Sequence, residues 1–200
     1  RLWGSAREGN GTLINTYLES RGITIEPPAC LRFRGLMKHP EGEGWPTMVA
    51  LVQRGIDGHA LAIHRTFLAK DGIGKAPVTT AKMMLGPCHG GAVMLAAPHP
   101  EQPLMVGEGI ETCLSAMQAT GLPAWAALST SGLKALDLPE GVRDVIVLAD
   151  GDDAGEKAAT AAAFRWQRHG RSVRIARPPA GMDFNDALAY RAAQLSGVAL

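Results

Sequence analysis

The run VIVLADGDDAG, residues 145–155, sets three carboxylates, Asp150, Asp152 and Asp153, within four positions at the end of five apolar residues. Like charges this close raise one another's pKa and repel, unless water disperses them or a cation sits among them. A further acid, Glu108, follows the apolar stretch PLMVG. Side chains two apart on an extended segment point the same way, so Asp150 and Asp152 can converge on one ion across Gly151. Hard divalent cations such as Mg²⁺ take oxygen ligands, often one or two carboxylates completed by substrate phosphates. Glu108, Asp150 and Asp152 supply that chemistry. Asp153 has a plainer reading: with Glu156 three positions on, it makes a capping-box pattern and is taken as structural. Glu111 opens a helix, where it either complements the dipole or joins the site.

The elements that must position these acids alternate regularly after residue 103. PLMVGEG reads as a strand ending in glycines, ETCLSAMQATG as a helix closed by Gly121, PAWAALS as a second strand, and SGLKALDLPEG as a turn and short helix. DVIVLAD is a third strand, AGEKAATAAAFRWQRHG a long helix ending near Gly170, and SVRIARP a fourth strand. Apolar runs without in–out alternation, separated by helices, predict a parallel sheet covered on both faces. In such sheets ligands bind at the carboxyl ends of the strands, where Glu108 and Asp150 fall. GEGIET does not make a dinucleotide fingerprint, because Thr112 stands at the third glycine position and no acid ends the next strand.

The first half differs. A helix is predicted over Thr12–Arg21, then strands at CLRFRG, TMVALVQR and ALAIHRTFLA, the last two joined by the hairpin-like turn GIDGH. AKMMLG and GAVMLA add short apolar pieces, and APHPEQP reads as a boundary. The expectation is an α+β, mainly antiparallel lobe over residues 1–100 and an α/β lobe over 101–200.

Charge follows the same division. Residues 1–100 carry 11 Lys and Arg against 7 Asp and Glu, whereas residues 101–200 carry 9 against 12. A basic half beside an acidic half suits a protein that grips a polyanion with one and metal ions with the other. Cys30, Cys88 and Cys113 are odd in number, far apart and never spaced as CxxC, which argues against a zinc ribbon or a disulfide framework and fits a reducing cytoplasm. No apolar run reaches the ~18–20 residues of a membrane span. The start at Arg1, without Met, fits a piece of a longer protein.

MVGEGIET followed some forty residues on by VIVLADGDDAG resembles the Toprim domain of bacterial-type primases, topoisomerases, OLD-type nucleases and small RNA-maturation nucleases. Its pattern, a Glu in an E-G turn after the first strand and a D-x-D after the third, falls on Glu108, Asp150 and Asp152 over about residues 101–190. The resemblance implies that these three hold Mg²⁺ or Mn²⁺. A further acidic segment after the fourth strand is matched by GMDFNDAL, where Asp183 either lies near the metals or caps a helix. The Asp that replicative primases often carry four residues after the Glu is Thr112 here, and EGIET looks more like the Toprim proteins of phages, plasmids and mobile elements. The first half is similar to the lobe that precedes Toprim in primases. That likeness implies a groove for template and nucleotide phosphates lined by Arg65, Lys75 and Lys82, with Arg32, Arg34 and His64 as weaker additions; His64 has an equal reading as a packed histidine.

The resemblance thus implies a primase-like enzyme that makes RNA primers on single-stranded DNA, with a replicative helicase or a separate zinc-binding module as possible partners and no membrane. A Toprim nuclease and a non-catalytic single-strand-binding module are the alternatives. A topoisomerase would need a tyrosine nucleophile on another domain, and only Tyr17 and Tyr190 exist. Arg165, Arg168 and Arg171 are read as a solvated helix face, and Trp125 and Trp166 as core.

Overall fold

A computed structural model describes residues 2–195; Arg1 and residues 196–200, at the extreme ends of the two expected lobes, lie outside it. The first half contains β1 (Arg7–Glu8), α1 (Leu13–Glu19), β2 (Leu31–Lys38), β3 (Gly44–Arg54), β4 (Ala60–Phe67), β5 (Lys82–Leu85) and β6 (Gly91–Met94). The first helix is shorter than expected at both ends: Thr12 is its N-cap, its Oγ1 accepting from Ile14 N while its own N donates to Asn15 Oδ1, and Ser20 is the C-cap. Strands β3 and β4 form the expected hairpin, with Val49 opposite Arg65 and Ala50 opposite His64. On its other edge β4 pairs with β5, which sets Thr66 opposite Lys82.

Strand period then decides which side each residue serves. Met48, Ala50, Val52 and Ala62 pack on one face with Ile14, Tyr17 and Leu18 of α1. Val49, Ile63 and Phe67 form the opposite face with Trp45 and Met37. Met83 of β5 packs against this second cluster, which thus draws on all four neighbouring strands.

The second half runs β7 (Leu104–Gly107), α2 (Ile110–Thr120), β8 (Ala124–Ala126), α3 (Thr130–Ala135), β9 (Asp144–Leu148), α4 (Asp153–Arg168), β10 (Ser172–Ala176) and α5 (Phe184–Leu195). The four strands lie parallel in the order β8-β7-β9-β10. Leu104, Val106, Val145 and Val147 point onto α3 and α4, burying Ala158, Ala159, Ala162 and Trp166. Met105 and Leu148 point the other way, onto α1, α2 and α5. Both faces are covered, as the unbroken apolar runs required. Trp125 and Trp166 are fully buried, and Trp166 Nε1 donates to Leu136 O at 3.0 Å.

The two halves share one ten-stranded sheet. Strand β6 pairs antiparallel with the end of β3 through Gln53 and Arg54, and with β8 on its other edge. One apolar cluster therefore continues from α1 and β3 into β7 and α2.

The arginine stripe is not the solvated face expected. Arg165 bonds Asp137 at 2.7 Å and also the Leu136 carbonyl, while Arg171, beyond the helix end, donates to Val142 O and Leu138 O at 3.1 and 2.9 Å. Five donors on a rigid planar group let each arginine close the carbonyls of the loop after α3. Only Arg168 of the three is exposed. Among the described residues no helix is long and apolar enough to cross a membrane.

Candidate active site

Strand β7 is continued by α2 and β8 on one side and neighboured by β9 on the other, so the chain reverses its winding direction between β7 and β9. A crevice opens at the carboxyl ends of strands at such a switch point. Val106 lies opposite Val147 in that pair, and two residues further on β7 delivers Glu108 while β9 delivers Ala149 and then Asp150. The Glu108 backbone is pinned from the next strand: Leu128 N donates to Glu108 O at 2.8 Å, with Leu128 at φ 70°. A left-handed leucine is a strained conformation, of the kind that clusters at functional sites.

Glu108 is half-buried, and its Oε1 is a buried oxygen without a hydrogen-bond partner. Burial first, and then the charges of Asp150 and Asp152, push its carboxyl up to about 7. Burial likewise raises Asp150, with Asp152 and Asp183 adding to the effect and Lys82 opposing it. Asp150 is thus the shared member, within electrostatic reach of Glu108 and Asp152 on one hand and of Asp183 on the other. Among the described residues no three His, Cys, Asp or Glu side chains close around an ion unaided. Mg²⁺ does not require that, since waters and phosphates complete its shell. An orphaned buried carboxylate oxygen amid further anionic groups fits a divalent cation.

The D-G-D-D run resolves differently from expectation. Asp152, not Asp153, caps α4: its side chain accepts from Gly155 N at 2.6 Å, and Asp153 is the first helical residue. The aspartate that precedes the first helical turn is the one whose side chain can fold back to the N3 amide, and the helix begins one residue earlier than the capping-box pattern suggested. Asp183 also caps, exchanging bonds with Asp186 through its Oδ1 (2.7 Å) and backbone N (3.1 Å). It lines a 460 Å³ cleft with Asp150, Asp152 and Arg177, the last paired with Glu156.

On the other side of Asp150 lies a crevice of about 200 Å³ walled by His64, Lys82, Glu108, Leu128 and Asp150. Here the antiparallel half meets the parallel sheet. His64 is 6% exposed with a buried, unpartnered Nδ1; burial, and then the Lys82 charge, push it down to about 4, so it is neutral. Lys75 is exposed, and its ammonium is lowered by partial loss of water first and by the charge of Lys82 second.

Arg65 does not join them. It lies opposite Val49 and Met83, on the far face from His64 and Lys82, and its guanidinium stacks 5.7 Å from the Phe67 ring. Arg32 and Arg34 share that far face, bound to Trp3 O and Ser5 Oγ. Adjacent residues on a strand face opposite sides, so His64 and Arg65 could not both enter one groove. Sequence reasoning left Glu111 open between dipole and site; it is a buried carboxylate that takes hydrogen bonds from Tyr17 Oη at 2.6 Å and Lys82 Nζ at 2.8 Å. Those partners are 94 and 29 residues away, and no local pattern announces them.

The raised Glu108 carboxyl has a pH signature. The folded protein binds this proton more tightly than the unfolded chain does, so the stability it contributes is full below about 4.5 and is lost as pH rises to about 7. His64 acts oppositely, losing stability as pH falls from 6.5 toward 4. The difference between parent and Glu108→Gln isolates Glu108. In metal-free urea titrations, Glu108→Gln gains on the parent as pH rises from 5 to 8; a constant difference across that range contradicts the assignment.

Comparison with known proteins places this arrangement. Residues 103–194 match the Toprim domain family, and this part of the chain is a Toprim domain. Residues 1–95 match a family described as a domain of unknown function (DUF7146). No curated protein matches the chain significantly. Among solved structures it resembles the Aquifex aeolicus primase, zinc-binding and RNA polymerase domains, with TM-score 0.60 and 16% identity over 94% of this chain and 55% of that one. The chain therefore spans about half the length of that primase, and what they share at this identity is the fold. It also matches a chain from a bacteriophage T7 lagging-strand polymerase structure containing primase domains of two gp4 subunits (TM-score 0.46, 19% identity, 91% and 80% covered). The RNA polymerase domain of Mycobacterium tuberculosis primase DnaG matches with TM-score 0.41 and 16% identity, over 88% and 60%.

Proposed function

We propose that the chain is the catalytic core of a primase-type nucleotidyltransferase, joining ribonucleotides on single-stranded DNA with Mg²⁺ or Mn²⁺. Residues 1–100 serve as its basic lobe and residues 101–200 as its metal-binding lobe. The observation that carries this reading is the buried, unpartnered Glu108 oxygen beside Asp150 at the strand ends, in a crevice whose wall also bears Lys82. A bound divalent cation would supply charge stabilisation at the reacting phosphoryl group. Glu108 and Asp150 would hold it, with the Asp152 oxygen not used in capping, and Asp183 stands at the far rim. Lys82 and Lys75 would take the phosphates that approach from the antiparallel side. Neutral His64 can donate or accept one hydrogen bond without adding charge.

The fold likeness supports a primase over a nuclease, because it includes the antiparallel half as well as the Toprim part. A replicative helicase or a zinc-binding module carried elsewhere would be natural partners. Incubation with single-stranded DNA, labelled ribonucleotides and Mg²⁺ or Mn²⁺ tests the reading on one gel. Extension products support it; cleavage alone points to a nuclease, and metal-independent binding without turnover to a binding module. Lys75→Ala is expected to lower the salt slope of single-strand binding by about one, as for one lost phosphate contact. Arg65→Ala is expected to leave that slope unchanged, and the reverse pattern would put the nucleic acid on the opposite face of the sheet.

A further inference from the structure

Lys82 walls the same crevice as Glu108 and Asp150. A divalent cation would need those carboxylates, and an ammonium on a flexible four-carbon stem is a direct competitor for them. Its charge already lowers Asp150 against the effects that raise it. Yet Lys82 bonds neither. Its Nζ donates instead to Glu111 Oε2 at 2.8 Å, and the other oxygen of that carboxylate accepts from the fully buried Tyr17 Oη at 2.6 Å.

Glu111 is an expensive partner to keep. Its side chain is 8% exposed, against 37% for Lys82, and a buried carboxylate is disfavoured unless it is both paired and hydrogen-bonded. Burial works to raise its pKa, but the Lys82 charge and the bonds from Lys82 and Tyr17 outweigh that and hold it at about 2. The carboxylate is therefore always charged when the protein works. The three residues come from α1, β5 and α2, so the arrangement exists only when both halves are docked.

We propose that Glu111, fixed by Tyr17, is a positioning residue that holds the Lys82 ammonium away from Glu108 and Asp150 and so keeps both carboxylates available to a divalent cation. This rests on the metal-binding reading given above. A merely structural pin between the halves would change stability alone. A device that apportions charge must also change metal affinity, and must do so through Lys82.

The test is the Mn²⁺ concentration giving half the maximal thermal shift, for the parent, Glu111→Gln, Tyr17→Phe and the double variant Glu111→Gln/Lys82→Met. Releasing a unit positive charge onto a partly buried carboxylate is expected to raise that midpoint about tenfold in Glu111→Gln. Tyr17→Phe raises it less, and the double variant, lacking the ammonium, returns to the parent value or below. An unchanged midpoint in Glu111→Gln, or one raised equally in the double variant, overturns the proposal. Should Glu111→Gln fail to fold, Tyr17→Phe decides, since it keeps both charges: a raised midpoint supports the proposal and an unchanged one overturns it. A parent with no Mn²⁺ response overturns the metal-binding reading, and this proposal with it.

Discussion

Asp150→Asn is expected to reduce metal-dependent turnover at least about a hundredfold, because charge stabilisation by a bound ion is worth several kcal/mol and each ~1.4 kcal/mol is tenfold in rate. The same variant should be folded without metal and at least as stable as the parent at neutral pH. Asp150 carries an unfavourable environment as an anion, set by burial first and by Asp152 and Asp183 next, and Asn removes the charge while keeping the shape. Asp152→Asn should lose less. One Asp152 oxygen is committed to Gly155 N at 2.6 Å, and Asn caps about as well as Asp. Asp153→Asn, at the first exposed position of α4, should change little. Turnover and Mn²⁺-dependent thermal shift on the three neighbours check the series. Equal damage from Asp153→Asn would mean that the run acts as a diffuse negative patch rather than through an ion held at Asp150.

Gly155→Ala is expected to be nearly as damaging to activity, although Gly155 touches no substrate. A Cβ built at this buried helical position would lie 2.9 Å from Asp150 Cβ, 3.0 Å from Asp150 O and 3.2 Å from Asp152 Oδ1. These are close approaches to the very loop that presents the carboxylates. Ala gains up to ~1 kcal/mol of helix propensity over Gly, but relieving such overpacking costs ~1–3 kcal/mol and must displace Asp150 or α4. The expected result is a folded protein with lowered stability and a Mn²⁺ midpoint shifted like that of Asp150→Asn. Full activity with raised stability would show that the loop can move aside freely. Gly151 makes the contrast: a Cβ there meets nothing closer than Met182 O at 3.6 Å, so it carries no packing constraint of this kind.

Most of the Toprim half was legible in the sequence. Apolar runs without alternation, separated by helical segments of one to four turns, required a parallel sheet covered on both faces, and Leu104 to Gly107 and Asp144 to Leu148 are parallel neighbours in it. The hairpin of the first half was equally clear from its turn residues. Local patterns carry these features because each depends on a period of 2 or 3.6 and on the residues that end it. One-residue matters were not settled locally. The helix beginning at Asp153 and capped by Asp152 differs from the expected cap by a single step, and element ends are where several nearby acids can compete for the same amide.

What the sequence determined by itself was the set of elements and the placing of Glu108, Asp150 and Asp152 at strand ends. Tertiary structure alone decided which basic residues meet them. Whether His64 or Arg65 faces the crevice depends on the parity of β4 against the buried face, and that parity is fixed by which side packs on α1 and the parallel sheet. Tyr17, Lys82 and Glu111 meet only because β6 joins the two halves into one sheet and closes a single core across them. Their bond is between residues far apart in the chain, formed where burial makes each polar group demand a partner. Such a demand arises from the surroundings that folding creates, and no spacing along the chain expresses it.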